Sequence, residues 1–250
     1  MAAIDIVLRD LAPTGRIRAA INFGNPVLAQ RAVQSGEPQG ISVDLARELA
    51  RRLGVGVDLI TFEAAGKVFE ALKSSTWDVA FLAIDPVRAA EIAFTAPYVV
   101  IEGTYIVRND SPLHDIGSLD ATDLRIAVGK GAAYDLFLTR ALRHSELVRA
   151  DTSAGAVDLF AGDTSLDAAA GVRQPLEDYA AVNPGFRVIP GRFTAIEQAM
   201  GTPKGRYAGH AYLTAFVEEM KATGFIAEGL ARSGQRDAAV AAAALMAPLQ

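Results

Sequence analysis

Apolar residues along this chain fall into two alternating patterns, short unbroken runs and stripes that repeat every three or four positions. The runs lie at residues 17–22, 57–62, 79–84, 124–128, 146–150, 166–172 and 186–193 and predict strands. The run at 79–84 is unbroken enough to be buried on both faces of a parallel sheet. Between the first two, Val43, Leu45, Ala46, Leu49, Ala50 and Leu53 make one broad apolar face closed by Gly54, which predicts a helix over 42–53. Further helices are predicted around Val68, Phe69 and Leu72, over 132–142, 154–160 and 175–181, and over 209–224 and 225–232. In the last pair Tyr212, Ala215, Phe216 and Met220 form the expected stripe. Strands and helices in regular succession imply an α/β fold with parallel strands and right-handed crossovers.

The rhythm breaks at residues 99–107, one long β-prone segment with Gly103 near its middle. Such a segment fits a strand that leaves one lobe and enters the next, and residues 194–200 fit the return. The predicted organisation is two Rossmann-like lobes joined by a two-strand hinge. Residues 1–102 plus 199–250 form the first lobe and 103–198 the second, with crossovers near 101–107 and 194–200. The tail from Gln235 onward is alanine-rich and reads as a loose helix or as disorder.

Composition narrows the function. The 250-residue chain carries a net charge of -5, which argues against nucleic acid as a partner because phosphate binding wants a basic face. It has no cysteine, hence no disulfide frame and no thiolate metal site. His114, His144 and His210 are scattered and not at metal-ligand spacing. No cofactor and no metal are expected. No apolar run approaches the roughly 18–20 residues that cross a bilayer. Residues 1–16 lack the basic start, apolar stretch and cleavage site of a secretion signal.

The chemistry concentrates in residues 77–98. Asp85-Pro86 follows the buried run at once and signals a helix start, because proline fits the first helical turn. Arg88 then lies in the first turn of a short helix, beyond the carboxyl end of a buried strand. In open α/β sheets that is the usual ligand position, and a guanidinium there offers a planar fork to a carboxylate or phosphate. The alternative is a surface pair with Asp85 or Glu91. Asn22 and Asn25 flank a Gly-Pro turn, where amides either face a ligand or serve the turn itself. Gly129-Lys130-Gly131 is a glycine-flanked strand-to-helix turn whose backbone N–H groups suit an anion.

Asp78, the run 79–83, Asp85-Pro86-Val87-Arg88 and Phe94-Thr95-Ala96-Pro97-Tyr98 together resemble the family 3 extracellular solute-binding proteins, the amino-acid-binding components of ABC importers. The resemblance extends from about Ile17 to Gly234. It implies the type II periplasmic binding protein architecture, a monomer in the periplasm, a small anionic ligand and an ABC permease as partner, without membrane insertion. It also implies that Arg88 takes the ligand carboxylate and that the turn at Gly131, Ala132 and Ala133 donates further hydrogen bonds. Hydroxyl residues are usual at those two alanines, so only main-chain donors are expected. The family's acidic residue for the ligand ammonium falls on Val172, and a buried ammonium without a carboxylate is costly.

Phe81 and Ala83 replace small polar residues of the resemblance. A carboxylate with an apolar or aromatic body therefore fits, or a ligand whose polar end meets Asn25, Arg173, Gln174 or Glu197. Glu102 and Glu197 lie in the crossovers and are the candidates to supply the missing acid. Two other functions stay open. One is an enzyme on this fold, resembling cyclohexadienyl dehydratases, with Glu102 or Glu197 as general acid; no paired base or nucleophile accompanies them. The other is a cytoplasmic ligand sensor or scavenger.

Overall fold

The computed structural model describes residues 3–235 and 238–244. The chain begins with a helix that the apolar pattern did not announce, α1 (Ala3–Leu11), and enters the sheet through β1 (Arg16–Asn22). A two-stranded ribbon of β2 (Gln30–Arg31) and β3 (Pro38–Gln39) leads to α2 (Ile41–Leu53), β4 (Gly56–Phe62) and α3 (Ala65–Ala71). Next come β5 (Val79–Ala83), the one-turn α4 (Pro86–Ala89) and β6 (Ile92–Arg108). The middle of the chain supplies β7 (Arg125–Gly129), α5 (Ala133–Ala141), β8 (Glu146–Ala150), α6 (Ser153–Gly162) and β9 (Ala168–Val172). After α7 (Arg173–Val182) and β10 (Phe186–Val188), β11 (Thr194–Pro203) returns along β6. Helices α8 (Tyr207–Ala222) and α9 (Phe225–Arg232) and the short β12 (Ala239–Val240) follow.

The fold is mixed α/β. One sheet runs in the order β4-β1-β5-β11-β6-β9-β7-β8, with β10 and β12 also paired to β6. Strand β1 lies parallel to β4 and β5, and β7 lies parallel to β8 and β9. Between these two parallel groups β6 and β11 are antiparallel to their neighbours. Strand β6 pairs with β11 from Ile92 to Gly103 and with β9 from Gly103 to Ile106, so it changes partner at Gly103. A Cβ at that glycine would lie 2.6 Å from the Phe193 ring, so the change of partner needs a bare backbone there.

Several boundaries differ from the apolar pattern. Strand β6 starts at Ile92, not near residue 99, because β11 continues past the Pro97 segment through two register irregularities near Ala199. Such irregularities let a sheet accommodate a proline that has no N–H to give. The buried stripe of α8 is Leu213, Phe216, Val217 and Met220, at helical spacing, while Ala215 faces solvent. Part of the alanine-rich tail is neither helix nor loose coil. Ala239 and Val240 pair with Val100 and Val99; residues 236–237 and 245–250 lie outside the described residues.

A buried ion network anchors β5 and β1. The Asp78 carboxylate, fully buried, accepts bonds from the Arg18 main-chain N–H (3.1 Å), from Arg18 Nε (2.9 Å) and Nη2 (2.8 Å), and from Arg206 Nη1 (2.8 Å). Burial pushes this carboxyl upward, and the bonds from Arg18 and Arg206 more than offset it, leaving it below the ordinary value.

Candidate functional site

All five residues of β5 are buried, and the strand ends where Asp85 starts a new helix. Asp85 Oδ1 accepts the Val87 N–H at 2.9 Å, and Pro86 opens the turn. These local signals place Arg88 at the carboxyl end of β5, between the two parallel groups of strands. Its side chain is 1% exposed and pairs with neither Asp85 nor Glu91. Instead Nη1 donates to the Ala83 carbonyl at 3.1 Å and Nη2 to the Gly131 carbonyl at 2.8 Å, one acceptor from each group. Asp85 Oδ2 takes its ion pair from Arg140 of α5 at 2.7 Å. Burial draws the Arg88 pKa down to about 10 against the pull of Asp85, so the guanidinium stays cationic at neutral pH. Two carbonyls engage two of its five N–H donors.

Opposite Arg88, Gly131 adopts φ +70°, and a Cβ there would lie 2.9 Å from the Gly66 Cα. The two glycines form a seam where main chain meets main chain. The turn's own donors are largely spent. The Gly131 N–H donates to Asp135 Oδ2 at 2.8 Å, and the Ala132 N–H donates to the Gly129 carbonyl at 3.0 Å. What remains is the start of α5, where the amides of Ala133 and Tyr134 have no acceptor within the helix and no side chain caps them. Of the three residues expected to offer main-chain donors, Gly131 and Ala132 have theirs engaged within the turn and Ala133 does not.

Arg88, Ala83, Ala132, Ala133, Asn22, Asn25 and Val172 meet around one small gap of about 30 Å³. Gly24, Ala65, Leu82, Tyr134, Ser153, Ile196 and Gln198 complete its walls. Its only charged side chain is that of Arg88. The two asparagines differ. Asn22 Oδ1 accepts the Gly24 N–H at 2.9 Å and serves the turn. Asn25, 8% exposed, has a buried Oδ1 with no hydrogen-bond partner.

Sharing Gly24, Tyr134, Ser153 and Val172 with this gap, a larger cavity of about 400 Å³ opens beside it. Its walls are mostly apolar, with Phe23, Pro26, Val157, Pro175, Leu176 and Tyr179 prominent. Glu63 and Asp158 also line it, and Glu63 is ion-paired to Arg31, whose guanidinium sits 4.2 Å from the Phe23 ring centre. A volume of this size suits a small metabolite.

The remaining candidates lie elsewhere. Glu102 is held between Arg173 Nε (2.7 Å) and Arg192 Nη1 (2.8 Å) beside a separate cavity of about 210 Å³, and the bonds from Arg173 and then Arg192 lower its pKa. Gln174 lines that same cavity. The Glu197 side chain faces solvent, and the residue's carbonyl accepts the Ile84 N–H at 2.8 Å. Phe81 is core, edge-on to Tyr98 with ring centres 6.4 Å apart. Gly131 does not line the gap but a neighbouring cavity, whose walls also include Arg88, Lys67 and Lys130. Tyr134, Ser153, Gln198 and Phe23 were not singled out from the sequence. Phe23 and Tyr134 adjoin residues that were, whereas the walls from α6 and α7 carry no local signal.

The same arrangement of strands and helices occurs in solved structures of binding proteins. Holo ArgBP from T. maritima superposes with a TM-score of 0.74 at 21% identity, over 87% of this chain and 96% of that one. The solute receptor for L-cysteine of Neisseria gonorrhoeae gives 0.78 at 23% identity, over 93% of each chain. An amino acid ABC transporter substrate-binding protein from Streptococcus pneumoniae, AbpA bound to L-arginine, gives 0.77 at 18% identity, over 90% and 97%. These likenesses define the type II periplasmic binding protein fold. Residues 17–234 match the bacterial extracellular solute-binding proteins, family 3, and the chain belongs to that family. Among curated protein sequences none matches. No helix among the described residues is long and apolar enough to cross a membrane.

Proposed function

We propose that the chain captures a small carboxylate-bearing metabolite, amino-acid-like or another organic or aromatic acid, for delivery to an ABC importer. The observation that carries this reading is a fully buried, cationic Arg88 with unspent donors at the mouth of a strand, beside an apolar cavity of about 400 Å³. In this reading the carboxylate rests on Arg88 and on the amides that open α5, and the body of the ligand fills the larger cavity. Asn25 supplies the polar contact that fixes orientation. The two groups of parallel strands act as lobes, residues 1–102 plus 199–250 and residues 103–198. They hinge where β6 and β11 cross, near 101–107 and 194–200. A ligand touching both lobes stabilises the closed arrangement in proportion to its preference for it.

The work is binding and not catalysis, since Glu102 is tied to two arginines and Glu197 points into solvent, which leaves neither as an acid over the gap. The protein acts as a monomer, and its place outside the inner membrane is supported by its membership of an extracellular family.

The test is a thermal-shift screen of amino, 2-hydroxy, 2-oxo and aromatic acids, with each hit titrated by calorimetry against the unaltered protein and Arg88→Ala. Removing one partner of a buried charged pair is expected to weaken binding about a hundredfold. Unchanged affinity in the variant would remove Arg88 from the site and overturn the reading.

A further inference from the structure

The identity of the ligand's second polar group can be read from charge balance in the gap. No carboxylate is among the residues that line it, and the one charge they bring is that of Arg88. Val172 lines the gap as an apolar wall. Glu102, in the crossover, is already paired with Arg173 and Arg192 beside a cavity that shares only Val172 with the gap. A zwitterion seated here would bring its carboxylate to Arg88 and leave an ammonium in a gap whose own walls hold no counter-charge, since Asp158 lines the adjoining cavity and not the gap. A monoanion would leave the gap neutral.

The gap also states what the monoanion must offer. Asn25 Oδ1 is buried and accepts no hydrogen bond, in a protein interior where such acceptors are almost always paired. An orphaned acceptor on a residue that lines the gap calls for a donor from the ligand. At about 30 Å³ the gap has room for about two water-sized groups, so the donor sits next to the carboxylate, on the carbon that bears it. A hydroxyl meets that requirement without charge. A 2-oxo group offers no hydrogen to that oxygen and would need the Asn25 amide turned over to present its NH2 instead.

The far end matters as well. The adjoining cavity presents Asp158 among apolar walls and no basic side chain, so a second carboxylate on the ligand would be repelled; Glu63 there is already paired with Arg31. Building on the carboxylate reading above, we infer that the ligand is a 2-hydroxy monocarboxylic acid with an apolar or aromatic body, and that Asn25 selects its hydroxyl.

Matched series separate this inference from the reading beneath it. Calorimetric titration of the full chain at pH 7.5 with phenyllactate, phenylpyruvate and phenylalanine, and with 2-hydroxyisocaproate, its 2-oxo counterpart and leucine, uses both enantiomers where they exist. The hydroxy acid is expected to bind at least about tenfold tighter than its amino and oxo partners. Asn25→Ala is expected to erase the hydroxy-over-oxo preference while leaving some affinity for both. Asn25→Asp puts an acid in the gap and is expected to raise the amino acid above the hydroxy acid, a reversal that a merely structural role for Asn25 would not produce. If the amino acid binds as well as the hydroxy acid in the unaltered protein, or the hydroxy-to-oxo ratio survives Asn25→Ala, the inference is wrong while carboxylate capture by Arg88 stands. If no member of either series binds, both are wrong.

Discussion

Arg88 is a buried cation that no carboxylate hydrogen-bonds, the buried Asp85 that attracts it being bonded to Arg140 instead, and that imbalance makes it the most informative residue in the chain. Protein interiors tolerate such a charge when its hydrogen bonds are met, and here two carbonyls meet part of them. The contrast with Asp78 is instructive. That carboxylate is equally buried but surrounded by two arginines, and its role is cohesion. Asp78→Ala would strand Arg18 and Arg206 and is expected to lower stability by about 3 kcal/mol in urea titration, while leaving Arg88 and the gap in place. A change below 1 kcal/mol would mean that solvent replaces the carboxylate. Arg88 itself was legible in the sequence, because an unbroken apolar run followed by Asp-Pro is a purely local signal. The difference between Asn22 and Asn25 was not legible. Both flank the same turn, and only the path of the main chain at Gly24 decides that one amide is satisfied and the other orphaned.

Among elements, the alternation of strands and helices was readable because burial on two faces leaves its mark on each segment alone. The long β6 was readable only in part. Its first residues carry Pro97, which disguises a strand, and its partner β11 comes from a hundred residues away. Of the donors expected at the start of α5, Ala133 lies on the helix's first turn, whereas the capture of the Gly131 N–H by Asp135 is a matter of helix geometry that the sequence does not display. The seam between that turn and α3 gives a test. A side chain at Gly131 would collide with the Gly66 main chain and would also strain a left-handed φ. Gly131→Ala is expected to weaken ligand binding about tenfold by opposing closure. Full affinity would show that the seam is not part of the bound state.

For the molecule as a whole, two of the links that join the halves of the sheet are the ones that, under the proposed hinge, would set how readily it closes. One is Arg88 to Gly131; the other is the ion pair of Arg140 with Asp85. Arg140→Ala keeps the ligand contacts and is expected to enlarge the radius of gyration in X-ray scattering of the ligand-free protein, with affinity falling about threefold. An unchanged radius would show that the pair does not bias closure.

Acid stability belongs to the same scale. Hydrogen bonds from Arg51 and Arg52 hold the Glu48 carboxyl at about 2, and Arg52 continues to Glu219, tying α2 to α8. A carboxyl depressed on folding adds stability above its unfolded value near 4.5 and loses it as pH falls toward 2. Glu48→Gln is therefore expected to lower the melting temperature at pH 7 by about 2–4 °C and to leave it unchanged near pH 2. An equal loss at both pH values would place the effect in packing.

The most direct test is a crystal structure with a 2-hydroxy or amino acid hit bound. The carboxylate is expected about 3 Å from the Arg88 guanidinium, beside the amides of Ala133 and Tyr134, with the ligand body in the cavity lined by Phe23 and Tyr179. A ligand seated elsewhere, with Arg88 still bonded to the Ala83 and Gly131 carbonyls alone, would contradict the account.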